Sequence, residues 1–417
     1  MPLGLAAALL SPAAFAQNAA TTPLPAAQAA QQIPEPAGTL TLDDALALAA
    51  ERSFTLSAAG HELDAAEGGI MQARTIPNPE VAVQFEDNRR DTRTTTTQVN
   101  LPIELGGKRA ARIGAAQKAR ELAQSQLGAT RTDLRAAVVG GFFAVVIAQE
   151  RVKLARGSSE IAAKGAQAAI RRVAAGKIAP LEESKARVEQ ANAELEVADA
   201  EAALAMARQS LAGLWGSSEA RFQEAAGNLD TLPARPDGAS LAQALDSAPE
   251  LASQRLELER RQAIIGVERS RQYPDLTVSL GSKRDNGSDR GTMPVLGVSL
   301  PLPLFDRNQG NLYAALRQAD KAADEYRATQ VRLANALQQA TRQLSVSRTS
   351  ADSLKGTVLP AAQQAYEAAT RGFEAGKFNF LDVLDAQRTW FQARVRYLGV
   401  VANAYQAATT IDRILGR

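Results

Sequence analysis

The chain has 417 residues, 45% of them hydrophobic but only 5% aromatic, with 47 basic and 45 acidic side chains. That is enough apolar material for a sizeable core, and a balance that leans on alanine suits long, closely packed helices better than a thick globular interior. Charges of both signs are mixed along the chain, so no broad basic face is available to a phosphate backbone and no nucleic-acid partner is expected. The sequence has no cysteine, which removes disulfides, thiolate metal sites and thiol nucleophiles.

In chain order, residues 1–16 read as a signal peptide: an apolar run through Leu10, then small residues around Phe15 and a cleavage point after Ala16. Residues 17–38 are rich in Ala, Pro and Gln and read as a disordered leader. Further on, no stretch offers the roughly 18 uninterrupted apolar residues of a membrane-spanning helix. The nearest, residues 136–148, contains Gly140 and Gly141 and reads as a tightly packed helix segment. An exported chain of this kind is periplasmic or secreted, or it crosses a membrane as a β-barrel.

The rest is a tandem duplication at an offset of roughly 197 to 200 residues. Leu42-Asp-Asp-Ala-Leu46 is echoed by Leu241-Ala-Gln-Ala-Leu245, Arg74-Thr-Ile-Pro77 by Arg271-Gln-Tyr-Pro274, and Ala175-Gly-Lys177 by Ala375-Gly-Lys377. The first repeat occupies residues 39–216 and the second 239–417, with 217–238 as an insertion at mid-height. Each repeat predicts a helix, a strand pair (80–103 and 275–301), a long helix, a tight tip (176–180 and 376–380) and a returning helix.

The strand pairs alternate apolar and polar residues with period two, as in Val81, Val83, Phe85 and Leu276, Val278, Leu280. Prolines mark where strands meet helices. Four strands cannot close a barrel, and an open sheet cannot sit in lipid with unpaired edges, so a membrane location requires several copies; three would give twelve strands and a lumen. A small soluble sheet packed on helices is the alternative. The first long helix, from about Lys108 to Ala175, extends roughly 68 residues or on the order of 100 Å. Its return, from Leu181 to Leu214, is half as long, and the helix from Leu241 to Gln272 is expected to stack on its end. Leu181, Val188 and Leu195 are expected to form a coiled-coil seam, as are Leu384, Phe391, Leu398 and Tyr405.

Enzyme chemistry finds no support. Gly106-Gly-Lys108 lacks the spacing and hydroxyl of a phosphate loop, and no serine stands in a nucleophile elbow. His61 is the one histidine, read as a partly exposed helix residue, and no cofactor or metal site is expected. Two features stand out instead. Asp382 and Asp385 share one helix side, where Asn379 as N-cap and Asp382 at the third helical position would also account for the first of them. Their counterparts in the first repeat are Glu182 and Lys185. Gly176-Lys177 and Gly376-Lys377 end both long helices, with Arg171 and Arg371 one turn earlier; they read as helix C-caps or as exposed tips that a partner reads.

Duplicated halves, proline-flanked strand pairs, long hairpins and Gly-Lys tips together resemble the TolC-like outer-membrane efflux proteins over nearly all of the chain after about residue 40. The sharpest local match runs from Gly372 to Ala386. The resemblance implies a mainly α fold with a small β part, in which three chains build a twelve-stranded barrel in outer-membrane lipid, continued by an α-helical coiled-coil barrel across the periplasm. It also implies an inner-membrane pump of the resistance-nodulation-division type and a periplasmic adaptor protein that docks at the Gly176/Lys177 and Gly376/Lys377 tips. Asp382 and Asp385 would form carboxylate rings at a cation-favouring entrance. Leu101-Pro-Ile-Glu-Leu-Gly-Gly-Lys-Arg109 is most similar to the cobalt-zinc-cadmium efflux members, which implies divalent heavy-metal cargo. A channel for drugs, or a periplasmic coiled-coil adaptor, are the alternatives.

Overall fold

The computed structural model describes residues 35–417 apart from Asn88, Arg90, Asp91, Asp237 and residues 287–290. The signal peptide expected at 1–16 and the leader up to residue 34 lie outside the described residues. Residues 35–40 already belong to the folded body: Glu35 accepts from Trp215 Nε1 and from the Arg221 backbone, and β1 (Thr39–Leu40) pairs in parallel with β4 (Glu224–Ala225).

The expected single opening helix is two, α1 (Leu42–Arg52) and α2 (Phe54–Arg74), separated at Ser53. Thr41 and Asp44 cap α1 reciprocally, each side chain receiving the other's backbone N–H. Strands β2 (Glu80–Glu86) and β3 (Thr94–Ile103) follow, then α3 (Lys108–Ala174) of 67 residues and α4 (Pro180–Gly213). After β4 come α5 (Gly238–Ala244), α6 (Pro249–Ser270), β5 (Leu276–Asp285) and β6 (Gly291–Ser299). The second long helix is not continuous: α7 (Gln309–Ser353) passes through a π-helical turn at Leu354–Val358 into α8 (Leu359–Glu374), before α9 (Phe380–Leu415) returns. Pro360 accounts for the break, since it offers no N–H to the preceding turn and its ring displaces the carbonyl four residues back.

The four long strands form one antiparallel sheet in the order β2-β3-β5-β6. Its register aligns Val81, Val99, Leu280 and Leu296 in a row across every strand, with Leu101, Val278 and Val298 alongside. Glu80, Asn100, Ser279 and Gly297 align on the other face. One face is therefore apolar and the other polar, because side chains alternate along each strand. The apolar face is exposed, and β2 and β6 are edges without partners in the protomer.

Below the sheet α3 is the spine. Its apolar stretch around Val138, Phe142, Val145 and Val146 is buried with Leu40, Leu48, Leu211, Trp215 and Phe222. By length and composition α3 could cross a bilayer, but this stretch faces protein. Gly141 lets α4 lie close, since a Cβ there would sit 3.2 Å from Leu211. In the upper half α6 runs along α3, with Lys118 to Glu259 at 2.9 Å and Ser125 to Ser253 at 2.9 Å.

Two expectations need correction. The helix stacked on the end of α4 is α2, not α6: a Cβ on Gly216 would meet the Phe54 ring, while α6 abuts the end of α9, where a Cβ on Gly416 would meet Pro249. Each repeat thus closes on the helix that precedes its own strand pair, through a left-handed glycine at φ +78° or +75° that other residues adopt only with strain. The seam of the first hairpin also differs. Leu181, Val188 and Leu195 are 60 to 65% exposed, and the buried heptad stripe of α4 is Ala186, Ala193 and Ala200. Alanines permit close approach to α3, Ala186 sharing a buried cluster with Ala166 and Ala169 and Ala200 one with Val152 and Ala155, and a leucine seam would hold the helices further apart. In the second hairpin Leu384 and Tyr405 are buried as expected.

Candidate functional site: the hairpin tips

Both long helices end in the same turn. Gly176 at φ +67° donates to the Val173 carbonyl at 2.9 Å and Lys177 to the Arg172 carbonyl at 2.8 Å; Gly376 at φ +71° and Lys377 repeat this on Phe373 and Gly372 at 3.0 and 2.8 Å. These paired bonds satisfy carbonyls that the helix end leaves over. Open space surrounds both glycines where a Cβ would stand. Arg171, Lys177, Arg371 and Lys377 are all exposed and have no ion-pair partner among the described residues. The two tips therefore present four free cations.

The tips are also joined. Arg172 of α3 lies over the Phe373 ring at 3.8 Å and donates to the Phe373 carbonyl at 3.3 Å, a cation–π contact and a hydrogen bond across the two hairpins. Ala166, Ala169 and Ala186 of the first hairpin share a buried cluster with Ala369, Phe373, Val383 and Leu384 of the second. Higher up, Arg388 pairs with Glu189 at 2.6 Å, and Gln387 donates to the Ser158 carbonyl at 3.3 Å. Sequence reasoning missed Arg172 and Phe373. The signal was available: the repeats differ at this turn, with Val173 in one and Phe373 in the other.

Asp382 and Asp385 separate in role. Asp382 completes a capping box, accepting from the Asn379 N–H at 3.1 Å while its own N–H donates to Asn379 Oδ1 at 3.0 Å. Asp385 has no hydrogen-bond or ion-pair partner among the described residues. It borders an open groove of about 580 Å³ between α4 and α9, walled by Leu181 and Val188 on one side and Leu381 and Leu384 on the other. At the matching place in the first hairpin, Lys185 reaches Glu182 at 3.6 Å. His61 is exposed on α2, 3.8 Å from Asp64. Among the described residues no three His, Asp or Glu side chains gather as a metal site.

The model of the outer membrane efflux protein family matches residues 45–217 and, separately, 240–417. The chain belongs to that family. Across its full length it is 63% identical to the cobalt-zinc-cadmium resistance protein CzcC of Cupriavidus metallidurans, covering 99% of that protein. It is 34% identical to the nickel and cobalt resistance protein CnrC of the same organism, over 64% of each chain. Among solved structures, the outer membrane protein VceC of Vibrio cholerae superposes with a TM-score of 0.76 at 20% identity, over 90% of this chain and 96% of that one.

Membership decides between the channel and the adaptor in favour of the channel. The fold is that of the TolC-like channels, mainly helical with a small sheet, and the location is the outer membrane with extension into the periplasm. Members of this family are transport proteins, the outer-membrane components of tripartite efflux systems.

Proposed function

We propose that this chain is the outer-membrane exit duct of a resistance-nodulation-division type efflux pump, that it works as a homotrimer, and that its cargo is divalent heavy-metal cations. The observation that carries the assembly is the apolar row Val81–Val99–Leu280–Leu296 on a sheet whose edges β2 and β6 are open. Such a sheet meets lipid without orphaned backbone groups only when β6 of one copy pairs with β2 of the next, and three copies close twelve strands around a lumen. Likeness to CzcC and CnrC, both named for metal resistance, supports the cargo.

In this reading cargo enters at the tips, where Asp385 and, behind its cap, Asp382 set a negative entrance in each protomer. Six carboxylates around a narrow opening favour cations and disfavour anions. They offer oxygen ligands only, which suits passage of a divalent ion better than storage. The cationic tips at Gly176/Lys177 and Gly376/Lys377, with Arg171 and Arg371, are the docking surface for a periplasmic adaptor, which joins the duct to the inner-membrane pump.

Deletion of the gene, and its return on a plasmid, tests the cargo: zinc, cobalt and cadmium tolerance should fall and recover together. Tolerance that changes for drugs and not for metals would replace the cargo while leaving the duct. A detergent-free monomer from the purified mature chain would end the duct reading altogether.

A further inference from the structure

The apolar stripe of β6 does not stop where its hydrogen bonding stops. Leu296 and Val298 are followed at the same two-residue spacing by Leu300, Leu302 and Leu304, and then by Phe305. Leu302 is 71%, Leu304 64% and Phe305 91% exposed, the last being the most exposed large apolar side chain among the described residues. The matching exit from β3 is shorter, passing from Ile103 through Leu105 directly to Gly106 and Gly107. Water is a poor neighbour for three such side chains, since each left exposed forgoes the free energy of burial.

The backbone of this segment suits a lipid boundary. Pro301 and Pro303 carry no N–H, and the Leu304 N–H is satisfied within the segment by the Leu302 carbonyl at 2.8 Å. Fewer donors are left to seek water. Immediately below lies a level of exposed arginines: Arg74 at the end of α2, Arg109 in the first turn of α3, Arg269 near the end of α6, and Arg307. The junction brings them together in pairs: Arg109 donates to the Arg74 carbonyl at 2.9 Å, and Asn308, next to Arg307, donates to the carbonyl of Glu268, next to Arg269, at 2.8 Å, while the Leu105 N–H donates to Asp275 at 3.2 Å and ties the two repeats at this level. None of the four has a carboxylate partner among the described residues.

From this arrangement we infer that the segment Leu302–Phe305 is a hook seated in the periplasmic leaflet of the outer membrane, with Arg74, Arg109, Arg269 and Arg307 as a collar that binds the phosphates of anionic phospholipid. Its apolar part is continuous with the lipid-facing row of the sheet, and the collar has the sign that anionic headgroups require. Apolar side chains next to basic ones that reach toward phosphate form an interfacial anchor. The inference rests on the barrel reading above and adds a lipid class and a depth to it.

The test uses the full mature chain reconstituted as assembled protein into bilayers of phosphatidylethanolamine with phosphatidylglycerol, some of it brominated on the acyl chains. Phe305→Trp places an indole on the hook, Leu296→Trp places one at mid-sheet, and the signal of the two native tryptophans is subtracted. Quenching at both positions is expected. Quenching for Leu296→Trp alone overturns the hook and assigns Phe305 to water or a neighbouring copy; quenching at neither overturns the barrel reading as well. The collar is read by spin-labelled phosphatidylglycerol measured against phosphatidylcholine. Arg74→Gln with Arg307→Gln should reduce the preference for the anionic lipid by about fivefold per arginine. A preference left at the unsubstituted level, with the assembly intact, overturns the collar.

Discussion

The first hairpin carries Glu182 and Lys185 near its tip, neutralised against each other at 3.6 Å, while the second carries Asp382 and Asp385 at the corresponding positions, one tied into a helix cap and the other without a partner. The first hairpin enters its return helix through Ala179 and Pro180 with no side-chain cap; the second uses Asn379 and a full capping box. The first long helix is unbroken, and the second passes through a π turn at Leu354–Val358. Two copies of one unit have thus diverged into a charge-neutral, continuous hairpin and a charged, articulated one. A π turn is costly locally and tends to be retained where a site uses it. In the function proposed above, the second hairpin is the entrance and the first its brace.

Removing the charge difference is expected to have the largest effect. Asp382→Asn with Asp385→Asn keeps an amide oxygen to accept from the Asn379 N–H, so the cap survives and only charge is lost. The permeability ratio of cations to anions in planar bilayers should fall several-fold, and block by multivalent cations should weaken. Unchanged selectivity would reduce both aspartates to helix starters. Converting Lys185→Glu in the other hairpin sharpens the contrast, because a second acidic site should raise cation selectivity only if that hairpin also faces the lumen.

Next comes the bond between the hairpins. Arg172→Ala removes the guanidinium from the Phe373 ring and from its carbonyl, leaving the tips joined through the buried cluster around Ala166, Ala169 and Phe373. Cation–π contacts contribute about 0.5 to 2 kcal/mol, small against the coiled coil but enough to loosen the join between the tips. Resting single-channel conductance should rise while the trimer persists on a gel. Phe373→Leu should act in the same direction.

The glycine turns rank third. Gly176→Val and Gly376→Val meet open space, so their cost is backbone strain of about 1 to 2 kcal/mol rather than a clash. Assembly should survive both, while adaptor crosslinking and efflux fall. If the articulated hairpin does most of the docking, the second substitution should be the more damaging. Equal crosslinking in both variants and the parent would remove the tips as the docking surface.

Much of this was legible in the sequence because it follows from period and punctuation. The strand pair expected within 80–103 begins and ends at those residues as β2 and β3, since alternation and prolines leave little choice of register, and α3 ends within a residue of its expected limit because Gly176 stops it. What was not legible depended on which of two similar stripes faces inward. Leu181, Val188 and Leu195 and the alanines at 186, 193 and 200 both recur at seven, and only the closeness of α3 selects the alanines. The helix stacked beyond α4 was misassigned for a related reason: α2 and α6 are equivalent by duplication, and only contact at Gly216 and Gly416 tells which end each one meets. At the tips, Asp382 and Asp385 were legible as a pair and Asn379 as the cap that Asp382 completes, whereas the lack of a partner for Asp385 among the described residues depends on tertiary placement.

The smallest expected effect lies in the upper helices, where the repeats differ again. On α2, His61 and Asp64 are exposed and loosely placed at 3.8 Å. On α6, burial disfavours the charge of Glu257, but hydrogen bonds from Arg260 and Arg261 at 2.6 to 2.8 Å outweigh it and hold its pKa below the usual carboxylate range. Glu259 is held down likewise, chiefly by its hydrogen bond from Lys118. A carboxylate whose folded pKa is depressed contributes stability above its unfolded pKa, near 4.3 for glutamate, and loses it as pH falls through the lower folded value. Thermal stability of the detergent-solubilised protein should therefore decline below about pH 4, and Glu257→Gln should both lower it at neutral pH and flatten that decline. The substitution leaves Arg260 and Arg261 without their carboxylate, so its neutral-pH cost exceeds the value of the pair itself. If Glu257→Gln melts in parallel with the parent across the acid range, the clasp on α6 contributes nothing pH-dependent, and the two upper helices are alike after all.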